Sequence, residues 1–334
     1  MKKEINYSIC LLKVLAMFLI INSHSDALFP SKLSFFATGG AIGNGLFFLI
    51  SGYLFRIKGN LFAQIINRIK RLYVPTYIIT LLLIILGKIP EERLRVIHLF
   101  IWPTEYWFVS SLLVFSIILI ISGKSDLYRN RLKFGLFTLL LLLFNIIVYI
   151  FFVTGKETWI VEDFRLPGEI PFKIIYCFFS FSLGNYLKNI SLSNNYSTKK
   201  KVVNLIVSLL FFAGFKALLK KAVIPMQLQI ISQLVTVYVV YWVFVCVMDS
   251  EMINAWLTKR KKLSGVLYKA STLTLEAYLL QFVIIDIVSQ RKMLFPLNYV
   301  VSTILIILFA IAFHVLLEVL FHALDRLSFN NRKV

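Results

Sequence analysis

Residues 7–29 read YSICLLKVLAMFLIINSHSDALF. The run is apolar and long enough to cross a bilayer as a helix, yet it contains Lys13 and His24, ionisable groups in a place where charge is costly. His24 stands eleven positions after Lys13, almost three whole turns, so both side chains share one helix face about 16 Å apart along the axis. One falls in the inner third of a membrane and the other in the outer third. Taken singly, Lys13 would snorkel to the inner interface and His24 would close the outer end of the span. Taken together on one face, they mark a pathway or a reaction site. A neutral imidazole can take a proton from an alcohol as it attacks an acyl carbon. Asp26 comes two residues later and could orient that imidazole if the helix has already become irregular before Pro30.

Outward from this helix the chain keeps the same character. Of its 334 residues 59% are hydrophobic, the mean hydropathy is +0.82, and apolar runs recur along its whole length. The expected fold is all-α: one polytopic membrane domain over 1–334 with about ten transmembrane helices. The spans fall near 7–29, 39–57, 73–88, 106–122, 133–154, 171–187, 202–219, 228–248, 271–289 and 298–323. The first run is too long for a signal-peptide core and has no small-residue cleavage site behind it, so it is expected to remain. Cys10, Cys177 and Cys246 are far apart in or beside apolar runs, which fits buried reduced thiols rather than a disulfide or metal framework.

The formal charge of +20 would suit nucleic acid, but its distribution does not. Basic residues crowd the segments 56–72, 123–133, 188–201 and 249–270 and both termini, the pattern of cytoplasmic segments under the positive-inside rule. The basicity is therefore topological, with some attraction to anionic membrane lipid. The segment 216–227, with Lys216, Lys220 and Lys221, runs against it. The outer segments hold Glu91, Glu92 and Glu105, then Glu157, Glu162, Asp163 and Glu169 beside Trp159 and Phe164. Such loops are commonly just solvated; carboxylates beside aromatics also suit carbohydrate.

Three further segments carry pattern. Residues 43–54 read GNGLFFLISGYL, in which Gly43, Ser51 and Gly52, with Gly39 just before, allow close backbone approach. Residues 67–77, NRIKRLYVPTY, put Arg68, Lys70 and Arg71 on a short interfacial stretch before a proline that opens a span. That is either a stop-transfer signal or a site for the phosphates of a cytosolic cofactor. Residues 105–112, EYWFVSSL, begin a span with Tyr106 and Trp107 at interfacial depth.

Together with the Lys13 and His24 pair, these segments resemble the acyltransferase 3 family, integral-membrane O-acyltransferases of bacterial surface polysaccharides and related lipid-linked sugars. The family pattern has a basic residue, ten residues and His in the first span. After these come a Phe-rich Ser-Gly-aromatic segment, a basic stretch ending near Pro-Tyr and a Trp-Phe segment. The match covers the first third by motif and the rest by topology. It implies a catalytic His24 helped by Lys13, donor binding by Arg68, Lys70, Arg71, Ser51 and Gly52, and acceptor binding by Tyr106, Trp107 and Gln281. It implies acyl-CoA, with acetyl-CoA expected, as donor substrate, no metal, and a glycan or lipid-linked saccharide as acceptor. The implied location is the bacterial cytoplasmic (inner) membrane, multi-pass, with both termini cytoplasmic. Two departures stand out. Lys13 replaces the usual Arg and loses its planar fork, and Gln281 stands where a late His is common and cannot do acid–base work.

The late spans add Glu276, Asp286 and a stripe of His314, Glu318 and His322 spaced i, i+4, i+8 on one face. A polar seam in the bundle explains the stripe better than a metal does. The rival reading is a transporter or exporter of a saccharide or lipid-linked intermediate, for which intramembrane charges serve equally. The paired broken helices common among transporters are not evident in this sequence.

Overall fold

The computed structural model describes residues 5–57, 59–89, 94–101, 103, 106–123, 125–153, 171–190, 196–220, 228, 230–248 and 250–330. The acidic residues Glu91, Glu92, Glu105, Glu157, Glu162, Asp163 and Glu169, with Trp159 and Phe164, lie outside them, as does 221–227. Every regular element among the described residues is helical.

Helix α1 (Tyr7–His24) starts where the Asn6 side chain accepts from the Ile9 amide at 3.2 Å, which satisfies an otherwise free donor. Next come α2 (Gly40–Leu54), α3 (Leu61–Ile85), α4 (Trp107–Ser122) and the short α5 (Asp126–Arg129). Then come α6 (Arg131–Val153), α7 (Pro171–Asn189), α8 (Thr198–Lys220) and α9 (Ile230–Met248). The chain closes with α10 (Glu251–Lys259), α11 (Lys261–Thr272), α12 (Thr274–Ser289) and α13 (Leu297–Asn330).

Six of these helices are long and apolar enough to cross a membrane, or seven if α11 and α12, bent by 67°, count as one broken span. The expected all-α membrane class is borne out, while about ten spans are not confirmed among the described residues. The helices α3, α4 and α7 coincide with expected spans yet fall short. The first carries Arg68, Lys70 and Arg71, the second has only 16 residues, and the third contains Lys173, Asn185 and Lys188. Large apolar side chains such as Leu132, Phe144, Phe211, Leu308 and Phe309 point outward. A soluble monomer would not leave so much apolar surface in water; a bilayer is the solvent that accepts it.

Two boundaries differ from expectation. Helix α3 runs unbroken through Pro75, so the basic stretch and the span after it are one rod rather than an interfacial segment and a new helix. The Thr76 hydroxyl donates to the Leu72 carbonyl at 2.7 Å within that turn. The segment 249–270 is not a loop, since it folds into α10 and α11, and these pack beside α1.

The centre of the bundle is α2, held between α1 and α7 by small residues. A Cβ at Gly43 would sit 2.7 Å from the Ala16 carbonyl of α1. One at Gly52 would overlap the Phe181 carbonyl of α7, and one at Gly184 would overlap the Leu49 carbonyl of α2. The two backbones therefore touch in both directions, as lipid-immersed helices do when small residues face each other. At the end of α2, Asn185 donates to the Gly52 carbonyl at 3.3 Å and Lys188 to the Phe55 carbonyl at 2.6 Å. These side chains satisfy carbonyls that a helix terminus leaves open.

Gly52→Leu should lower stability by about 3 kcal/mol or more, because overpacking has no flexible atom to displace. Gly214→Ala, at a position with nothing within 4 Å, should change it by less than about 1 kcal/mol. Thermal unfolding in detergent, monitored by size exclusion, checks both; equal losses would contradict the interlock.

Candidate functional site

His24 is the last residue of α1, and the Ser25 amide closes the helix on the Asn22 carbonyl at 3.2 Å. The Asn22 side chain then anchors the turn beyond the helix. Its amide donates to the Phe36 and Thr38 carbonyls at 2.7 and 2.8 Å, and its oxygen accepts from the Tyr299 hydroxyl at 3.0 Å. Asn298 donates to the Leu28 carbonyl at 2.7 Å. The segment after His24 is therefore tied to the starts of α2 and α13, and the imidazole is presented from a fixed end.

Its ring packs edge-on against Phe282 of α12, with centroids 4.6 Å apart, and stays exposed on its other side. Phe282 continues into an aromatic wall formed with Tyr106 (6.3 Å) and Tyr278 (6.3 Å). Phe108 meets Tyr278 at 5.3 Å, and Trp107 joins at 6.2 Å from Phe108. Tyr106 is buried, and its hydroxyl donates to the Leu279 carbonyl at 2.9 Å, which pins the start of α4 to α12. Lys173 of α7 lies over the Trp107 ring at 4.1 Å and is close enough for its charge to act on His24. The sequence reading missed Lys173, Phe282 and Asn22. Lys173 carried a usable signal, an ammonium inside the expected span 171–187. Phe282 and Asn22 had none, because only the fold sets them beside His24.

Asp26 does not orient the imidazole. It begins a 3-10 turn, is exposed, and no hydrogen bond joins it to His24 among the described residues. Gln281 is fully buried on α12, and neither amide atom has a partner among the described residues. Lys13 is half-buried three turns back along α1 and stands beside Cys10.

The basic stretch lies far along α3 from this end. Arg68 donates to the Ser116 hydroxyl of α4 at 2.8 Å and stacks over the Phe55 ring at 4.8 Å. Arg71 shares the Arg68 side of the helix, while Lys70, more than half a turn round, is exposed elsewhere. The structure thus pairs Arg68 with Arg71 and separates Lys70. Ser51 is half-buried, and Gly52 is taken up by the contact with α7, a packing role rather than a ligand-facing one. A cavity of about 330 Å³ also opens between α5, α6 and α7 beside the end of α4, with Tyr128, Arg129, Arg131 and Tyr186 in its lining.

The His stripe divides. His314 Nδ1 meets the buried Glu276 carboxylate of α12 at 2.6 Å, Glu318 is 3.6 Å from its other nitrogen, and His322 is exposed. No group of three or more metal-ligating side chains is present among the described residues.

The family model described as an acyltransferase domain matches residues 6–322, and the chain belongs to that family, acyltransferase 3. It is a multi-pass membrane protein and an acyltransferase. Searches of curated proteins and of solved structures gave no match.

Gln281→Leu should leave the melting temperature unchanged or raised, since replacing an unpartnered buried amide by an apolar isostere removes a desolvation cost. A clear fall in melting temperature would show that the amide is hydrogen-bonded after all.

Proposed function

We propose that the protein is an O-acyltransferase of the bacterial cytoplasmic membrane. It moves an acyl group, acetyl by preference, from cytosolic acyl-CoA to a hydroxyl of a cell-surface or lipid-linked glycan. The observation that carries this reading is the position of His24. It is a reachable imidazole at one end of the bundle, in an aromatic wall with a cation, while paired arginines face the other end.

The chemistry comes from those groups. His24 accepts the proton of the acceptor hydroxyl as its oxygen attacks the thioester carbonyl. A carbon–oxygen bond forms, the carbon–sulfur bond breaks, and the proton passes from the imidazolium to the departing thiolate. We assign Lys173 to the negative charge that develops on the carbonyl oxygen, where a fixed cation contributes most. Lys13, one third of the way along α1, holds the polar end of the donor, and Arg68 with Arg71 holds its phosphates. Trp107 offers the apolar face of a sugar ring a surface, while Tyr106, buried with its hydroxyl on the Leu279 carbonyl, holds the wall in place behind it. The termini and the segments 56–72, 123–133, 188–201 and 249–270 are assigned to the cytoplasm on charge bias. The pair of buried Glu276 and half-buried His314 is the feature that a proton-coupled transporter would also show.

His24→Ala and His24→Gln should each lower kcat by about 10²–10⁴-fold in a labelled acetyl-CoA assay with a membrane glycan acceptor. Lys13→Arg should keep activity that Lys13→Ala loses. A near-normal rate for His24→Gln would remove this residue from the mechanism. Glycan movement across vesicles without acyl transfer would favour the transporter.

Arg71→Gln should raise the KM for acyl-CoA by the equivalent of about 1.5–3 kcal/mol. An unchanged donor dependence would reduce the cluster to a topological signal. For orientation, an impermeant thiol reagent should label Gly168→Cys from outside and spare Lys200→Cys; the reverse pattern exchanges the donor and acceptor sides.

A further inference from the structure

Phe282 faces two ways. One edge meets His24, and the ring also walls a cavity of about 440 Å³ between the end of α3 and α12. That volume lies in the range of small-molecule sites. Lys88 and Asp286 line it as well, with Tyr106, Val283, Leu83 and Ile89 among the apolar remainder.

The position of Lys88 is written into the end of α3. The Gly87 amide bonds to the Ile84 carbonyl at 3.0 Å and the Lys88 amide to the Leu83 carbonyl at 2.9 Å, with Gly87 at φ 63°. This is a Schellman stop, which needs a residue tolerant of positive φ, and it turns the next side chain off the helix axis. Lys88 thereby reaches Asp286 of α12, with Nζ and Oδ2 2.6 Å apart. The other Asp286 oxygen accepts from Gln290 at 3.1 Å.

As a brace this pair contributes little. Its side chains are 39% and 44% exposed, and ion pairs so open to solvent are worth little to stability. As a lining it is distinctive. A carboxylate and an ammonium face the same space as the Phe282 ring, which touches the imidazole.

We propose that this cavity seats the sugar ring of the acceptor, a proposal that rests on the acyl-transfer reading above. The ring's C–H face lies on the half-buried Phe282. Its hydroxyls donate to Asp286 and accept from Lys88, and the hydroxyl to be acylated is presented past Phe282 to His24. Lys88 and Asp286 are then specificity-determining residues, which select the ring and its orientation without entering the bond changes.

The test uses the full-length protein, labelled acetyl-CoA, and chemically de-O-acylated lipid-linked glycan from the host membrane as the probe. Asp286→Asn and Lys88→Met should each raise the KM for that glycan tenfold or more, with the donor KM within twofold. Val283→Phe, which fills the cavity without touching a charge, should do the same. The exchange Lys88→Asp with Asp286→Lys keeps an ion pair but inverts the groups offered to a sugar, so it should not restore the acceptor KM. Restoration by the exchange would make the pair a brace and overturn the proposal, as would an unchanged acceptor KM in Val283→Phe and Asp286→Asn. A wild-type protein that transfers no label to the glycan would overturn the acyl-transfer reading itself.

Discussion

Contact between the backbones of α2 and α7 at Gly52 and Gly184 sets the spacing of the helices around the site. Lipid supplies no hydrophobic drive between helices, so close van der Waals packing and a few interhelical hydrogen bonds must hold them. The two glycines let the packing happen, and Asn185 and Lys188 add the hydrogen bonds. Gly43 brings α1 against the opposite side of α2 in the same manner. The three helices are thereby locked in order. His24 on α1 and Lys173 on α7 reach the same end of the bundle only because α2 between them is thin.

At that end the remaining helices bring aromatic surface. Tyr106 pins α4 to α12 through one buried hydroxyl, and Phe282 carries the wall to the imidazole. At the other end Arg68 is braced by Ser116 and Phe55, with Arg71 beside it. One end can therefore meet anionic groups and the other a neutral hydroxyl-bearing ring. A two-sided transfer needs that division.

Much of the architecture was legible because hydropathy is additive along a chain. The runs at 7–29, 133–154, 202–219, 228–248 and 298–323 all became long apolar helices. What hydropathy could not give were the joints. Pro75 looked like a helix start, but a proline late in a rod is tolerated when neighbouring groups relieve the turn, so α3 continued through it. The bend between α11 and α12 had no proline or glycine to announce it. The site was legible where its members share one helix, as with Lys13 and His24. It was illegible where partners come from distant segments, as with Lys173 and Phe282. Asp26 shows the converse. Nearness in sequence suggested a partner for His24, and the end of the helix turned it away.

In the proposed reaction acyl groups enter at the Arg68 and Arg71 end and leave on a hydroxyl activated at the His24 end. Proteoliposomes of fixed orientation, given labelled acetyl-CoA only on the arginine side and glycan only on the histidine side, test it directly. Label is expected on the glycan for the wild-type protein, with a loss of about 10²–10⁴-fold for His24→Gln. Labelling that requires donor and acceptor on the same side, or that survives His24→Gln unchanged, would contradict it.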